Sequence, residues 1–308
     1  MDTYMRIRLY DGTAENAASV RGIIERLDSL LSAADEGSEV YALDHGAGLP
    51  VPVSEETFDV VSRALEFSAS VGDAFEITIF PVSEAWGFTG EEHRIPSENE
   101  LAELLALVGD DRISVDREHS AVLVPEGMAI DLGALAKGYA ADLAAEKLVA
   151  DGVENALLDL GSSTILALGH KPDGSKWKIA VQDPNDPSSY AGTLEISSGA
   201  VSTSGGCERY FVGDDGEIYW HILDPETGRP AKNGLLSVTV LSESAFLGDG
   251  LSTALFVMGI DGASEYWRAN RSFDFIAIAE DRIYATAGAA DVFAPAGSFA
   301  DMPIQIVE

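Results

Sequence analysis

Residues 131–140 read DLGALAKGYA, and the fold and the chemistry of this chain turn on how that stretch is read. It has the look of a helix start. The first N–H groups of a helix lack internal partners and carry partial positive charge, so they draw in anions such as phosphate. Gly133 allows a ligand close to the backbone, and Lys137 adds a full positive charge further in. The same residues read as plainly as an Asp131 N-cap and a Lys137 that snorkels to water. The stretch fits neither G-x-G-x-x-G nor a Walker loop, so alone it does not decide between these readings.

Outward from it, MAIDLGALAKGYAADLAAEKLVADGVENALLDLGS reads as strand, helix, strand, with Leu135, Tyr139 and Leu143 on one helical face and ADG as the helix stop. Upstream, TYMRIRLY predicts a strand, and Val20, Ile23, Ile24, Leu27, Leu30 and Leu31 predict a long amphipathic helix. A second helix starts near SEETFDVVSRALEF. A third follows a capping-box pair, Ser97 and Glu100, with Leu101, Leu104, Leu105 and Val108 as its buried stripe. Between these two, GDAFEITIFPVSEAWGF reads as too irregular for a helix. Downstream, KWKIAVQD, GTLEIS, GAVSTSG, SVTVLS and FDFIAIAEDRIYAT read as strands, interrupted by one helix at GDGLSTALFVMG. Helices and strands mix without regular alternation, which predicts the α+β class.

Composition narrows the function. The chain has 308 residues, and 52 acidic against 19 basic residues give a net charge of −33. That balance argues against nucleic-acid or anionic-membrane surfaces, which need basic patches. A polyanionic ligand would need a local exception to this field, such as a metal ion. No apolar run approaches the roughly 20 residues that span a bilayer, and nothing resembles a signal peptide. The chain reads as soluble, either cytosolic or, after loss of an export leader, extracytoplasmic or at the cell envelope. A single cysteine, Cys207, excludes an internal disulfide and a thiolate metal cluster.

Four further features could carry chemistry. Asp249 and Thr253 stand four apart and share a helical face, an oxygen pair suited to Mg²⁺. They read equally as an N-cap and a threonine bonded back to its own helix. In YWHILDPETGRPAKNG, DPETG is a turn, and His221 before it is either a general base or a structural histidine. VSTSGG runs a strand into a small-residue turn where backbone could touch a ligand. In EAWGF, Trp86 and Phe88 could stack on a planar ring or fill core.

Taken in order, these stretches resemble the ApbE family of FAD:protein FMN transferases. DLGALAKGYA is similar to the family's central motif. GVENALLDLG, VSTSG, HILDPETGRP and SVTVLSESAFLGDGLSTALFVMG resemble its later segments, and AFEITIFPVSEAWGF an earlier one. The likeness runs from residue 1 to about 290. It implies one domain over residues 1–308, of mixed helices and mostly antiparallel sheet, in a single body or two interlocked lobes. It also implies Mg²⁺-dependent transfer of FMN from FAD to a Thr or Ser of an acceptor flavoprotein, with release of AMP. A Mg²⁺-dependent FAD pyrophosphatase and a non-catalytic FAD-binding protein are the alternatives.

By the same resemblance, the carbonyl of Ala134, Asp249 and Thr253 are Mg²⁺ ligands, and His221 is the base or substrate orienter. Asp131, Lys137, Trp86, Gly87, Phe88, Thr203, Ser204, Gly205, Leu223 and Met1 contact the flavin nucleotide. There are departures. SEVYALD puts Asp44 where the family usually has Asn beside the nucleotide, GSS at 161–163 replaces G-G-D, and MDT replaces M-G-T. No stretch resembles the family's usual export or lipoprotein leader. No acceptor-like D-x-x-S/T-G-A-S/T segment occurs, which argues against self-modification.

Overall fold

A computed structural model describes residues 3–90 and 92–308. The role that the family resemblance gives Met1 lies outside the described residues. The class is α+β, as expected. Two compact units form, one from Arg26–Ala136 with Glu208–Ala231, the other from the N-terminal stretch to Glu25, Lys137–Cys207 and Lys232–Glu308. Among the described residues, no helix is long and apolar enough to cross a membrane.

The second unit is built on an eight-stranded sheet in the order Met5–Leu9, Ala156–Leu160, Thr164–Leu168, Gly199–Gly205, Leu235–Ser242, Asp274–Ala279, Ile283–Thr286, Ile304–Val307. Every neighbouring pair is antiparallel except the last. The alternation in ALLDL, with every second residue buried, is what a sheet covered on one face demands. A three-stranded sheet (Trp177–Asp183, Asp186–Ile196, Phe293–Pro295) closes one core around Trp177, Ile179, Leu194, Ile276 and Phe293.

Two helices of this unit lock together. Asp142, on the helix Ala136–Ala150, accepts from Ser244 Oγ at 2.6 Å, Ala245 N at 2.7 Å and Phe246 N at 3.1 Å. It thus serves the otherwise unpaired N–H groups that open the helix Ala245–Ala269. The approach is close enough that a Cβ on Gly138 would collide with the Ala245 carbonyl. The second helix breaks at Gly259, which sits at φ 68°. Asn233 Nδ2 donates to the Phe256 carbonyl there at 2.6 Å, satisfying an acceptor the break releases.

The first unit holds the helices Glu39–Asp44, Glu55–Val71, Phe80–Trp86 and Glu98–Leu105, a small sheet (Val51–Pro52, Ala121–Leu123, Ser114–Asp116) and two ribbons. Half of the predicted capping box forms: Ser97 Oγ accepts from Glu100 N at 3.3 Å, whereas the Glu100 carboxylate pairs with Arg94. Two expectations fail for physical reasons. GDAFEITIFPVSEAWGF contains the helix Phe80–Trp86, too short for its periodicity to show and ended by Gly87 at φ 81°. The residues MAID form no strand, because their backbone groups go elsewhere. Asp44 Oδ1 accepts from Ile130 N at 2.9 Å, and the Ile77 carbonyl accepts from Asp131 N at 2.7 Å.

Gly138→Ala tests the helix contact. The new methyl meets backbone rather than a yielding side chain, so we expect a loss of about 1–3 kcal/mol, read as a lower urea midpoint at constant m-value. An unchanged midpoint would contradict the close approach.

Candidate active site

The opening motif is a turn before it is a helix. Asp131 Oδ1 accepts from Gly133 N at 2.7 Å, and the Leu132 carbonyl accepts from Leu135 N and Ala136 N at 2.9 and 2.8 Å. Regular helix starts only at Ala136. Asp131 therefore caps its own turn rather than the helix, and Lys137 lies in the first helical turn. Ala134 sits half-buried in the turn between them.

In the second unit the motif's other half is organised by one carboxylate. Asp249 is 6% exposed. Its Oδ1 accepts from Thr164 Oγ1 at 2.8 Å and Ser202 Oγ at 2.7 Å, and its Oδ2 from Gly138 N at 2.7 Å. Thr164 and Ser202 are directly opposite each other on neighbouring strands, which is why both reach the same oxygen. Burial pushes the Asp249 carboxyl up to about 6, against the pull of the Lys137 ammonium and these three donors. Thr253, one turn on, bonds back to the Asp249 carbonyl at 3.4 Å and meets Ser204 Oγ at 3.1 Å. Asp249 is not an N-cap; Ser244 holds that place.

Strand alternation sorts the VSTSG residues. Ser202 and Ser204 face the helix that carries Asp249, whereas Thr203 points to the opposite face and meets Thr239 Oγ1 at 2.9 Å. Gly205 ends that strand, buried. The sequence reading missed Thr164, Ser202 and Gly138 as Asp249 partners. Alternation along VSTSG was the available signal for Ser202; only strand pairing reveals Thr164.

In the first unit, Trp86, Phe88 and Leu223 join Val82 and Leu101 in one apolar cluster. Trp86 is 0% exposed and its Nε1 donates to the Gly228 carbonyl at 2.8 Å, so its ring is core rather than a stacking platform. Gly87 turns the chain in a left-handed conformation that lets its backbone pass against Glu92. DPETG is the expected turn: Asp224 accepts from Glu226 N at 2.9 Å and Thr227 Oγ1 at 3.0 Å, and Leu223 pairs with Pro230 across it. His221 follows the strand Ile218–Trp220, and its Nδ1 lies 3.2 Å from the Arg209 carbonyl. A carbonyl only accepts, so this contact puts the ring proton on Nδ1 and leaves Nε2 as the basic nitrogen.

Asp44 is the unusual group. Its Oδ1 takes the Ile130 N–H, but its buried Oδ2 has no hydrogen-bond partner among the described residues. Burial, with the Asp131 and Glu84 carboxylates nearby, pushes its carboxyl up to about 7 despite the Ile130 N–H and His45. A raised folded value gives stability that is complete below the unfolded carboxylate range and lost as pH rises to about 7. Asp44→Asn keeps the shape without the ionisation. Its stability relative to the parent should therefore rise by about 3 kcal/mol between pH 4 and pH 7 and stay level above that, as measured by denaturation across pH. A difference that does not change with pH would contradict the assignment.

Known proteins resemble this chain along most of its length. The ApbE family's sequence profile matches residues 1–277. A protein of Vibrio cholerae named FAD:protein FMN transferase is 34% identical over 254 residues, covering 81% of this chain and 75% of its own. One of the same name from Klebsiella pneumoniae is 33% identical over 285 residues, covering 92% and 88%. The crystal structure of the flavinyl transferase ApbE of Pseudomonas stutzeri, in its apo form, superposes with a TM-score of 0.83 at 30% identity, over 95% of this chain and 94% of that one. With a profile match across most of its length and relatives at this identity, the chain belongs to the ApbE family.

Proposed function

We propose that the chain transfers the FMN half of FAD to a threonine or serine hydroxyl of an acceptor flavoprotein and releases AMP, with Mg²⁺ as its metal. Membership of a family whose curated relatives are FAD:protein FMN transferases makes it a flavin transferase. The observation that carries the finer reading is the buried Asp249 carboxylate beside the Lys137 ammonium.

The donor chemistry fits Mg²⁺. Asp249, Thr253, Ser204 and Ser252 offer oxygen alone, the donor type a hard cation prefers. Asp249 and Thr253 would hold it. When bound, Mg²⁺ neutralises diphosphate charge as a Lewis acid, the local exception that a chain of net charge −33 requires.

The chain's own groups supply the rest. Lys137 adds fixed positive charge for the substrate's phosphates. The acceptor hydroxyl oxygen bonds to the FMN-side phosphorus while the phosphorus–oxygen bond to AMP breaks. AMP departs with the bridging oxygen, and the hydroxyl proton passes to His221 Nε2, the Nδ1 proton being held by the Arg209 carbonyl. Positioning and electrostatics account for most of the acceleration in such transfers.

The test is incubation with FAD, with and without Mg²⁺, and with and without a peptide carrying D-x-x-T-G-A-T. We expect AMP release only when metal and peptide are both present, with one FMN phosphoester added to the peptide by mass. AMP and free FMN without peptide would instead mark a pyrophosphatase, and bound FAD without AMP a binding protein. Asp249→Ala should cut turnover by about 100-fold or more; undiminished turnover would remove Asp249 from the metal site.

A further inference from the structure

The ribbon that ends at His221 has an open edge. Its strands Tyr210–Val212 and Ile218–Trp220 pair antiparallel, with Tyr210 opposite Trp220, Phe211 opposite Tyr219 and Val212 opposite Ile218. His221 N donates to the Arg209 carbonyl at 3.1 Å, and Gly213 N to the Glu217 carbonyl at 2.9 Å. Bonded pairs alternate along an antiparallel ladder, so these two fix Phe211 and Tyr219 as the bonded pair between them. The N–H and C=O of Tyr210 and Val212 consequently point away from the ribbon. Among the described residues, no hydrogen bond from another segment reaches them.

The two faces of the ribbon differ sharply. Phe211 and Tyr219 face inward: Phe211 stacks on His93 at 5.0 Å between centroids and lies 5.7 Å from Phe88, and Tyr219 lies 5.2 Å from Trp86. Alternation turns Tyr210, Val212 and Ile218 to the other face, where they are 50%, 60% and 46% exposed. An unpaired edge joined to exposed apolar side chains is a template for strand addition. The connecting turn carries Asp214, Asp215 and Glu217, within a chain already at −33.

We propose that this edge binds an extended segment of the acceptor flavoprotein as an added strand, with apolar side chains over Tyr210, Val212 and Ile218 and basic residues beside the acidic turn. The proposal rests on the transferase reading above, which requires a protein substrate near His221. The edge meets that requirement, because it runs to Arg209, whose carbonyl holds the His221 ring. The acidic turn selects a basic partner over a second copy of this strongly acidic chain.

The experiment uses the full chain, FAD, Mg²⁺ and the D-x-x-T-G-A-T peptide extended by alternating apolar residues and a terminal lysine pair. Val212→Pro removes an outward N–H and no ladder bond; Tyr210→Lys and Ile218→Lys place charge on the exposed face. We expect KM for the peptide to rise at least about tenfold in each, with FAD affinity, read by fluorescence quenching, unchanged. N-methylation of alternate peptide nitrogens should raise KM for the parent protein and have less effect on Val212→Pro. Unchanged KM in all three variants, with transfer intact, overturns the docking edge and leaves the transferase reading standing. Loss of a parent dimer with KM unchanged assigns the face to a second copy and overturns it as well. Failure of the parent to modify any peptide while it still hydrolyses FAD overturns the transferase reading, and this proposal with it.

Discussion

One buried carboxylate organises the candidate site in the second unit. Asp249 lies on a long helix and collects donors from two strands and from the first turn of another helix: Thr164, Ser202 and the Gly138 amide. An isolated carboxylate so buried would be costly; three donors and the Lys137 ammonium offset that cost without abolishing it, which is why its carboxyl still sits near 6. The surrounding architecture serves this junction. Asp142 fixes the start of the Asp249 helix, and Gly138 has no side chain because the Ala245 backbone occupies the space. Under the proposed function, a bound cation would offset what burial still costs this carboxyl.

The first unit is held together by different physics. Its aromatic cluster is core, with Trp86 sealed and its indole N–H satisfied by Gly228. That rigid block backs the ribbon through Phe211 and Tyr219 and so fixes His221 at the ribbon's end. Asp44 is the place where polarity is left unsettled. An Asn there would keep the Ile130 N–H bond without the buried ionisation that pushes the Asp44 carboxyl up to about 7.

Much of this was legible in the sequence. Period-two alternation found the sheet strands, the Ser97–Glu100 spacing found a cap, and the four-residue interval found the Asp249–Thr253 face. The motif order also placed the chain in its family. What stayed hidden depends on long-range pairing. Thr164 and Ser202 become neighbours only through strand register, and Asp142 meets Ser244 about a hundred residues away. The false strand at MAID shows the complement, since apolar residues make a ladder only when their amides are not already taken, as Ile130's is by Asp44. Trp86 shows a third limit. Composition cannot tell a stacking ring from a sealed one.

The account stands or falls on Asp249 as the group that receives a cation. The direct measurement is the pH titration of the Asp249 carboxyl carbon by ¹³C NMR, with and without Mg²⁺ and in the absence of FAD. The account predicts a midpoint near 6 in metal-free protein and a clear downward shift under saturating Mg²⁺. A midpoint that Mg²⁺ leaves in place would contradict it.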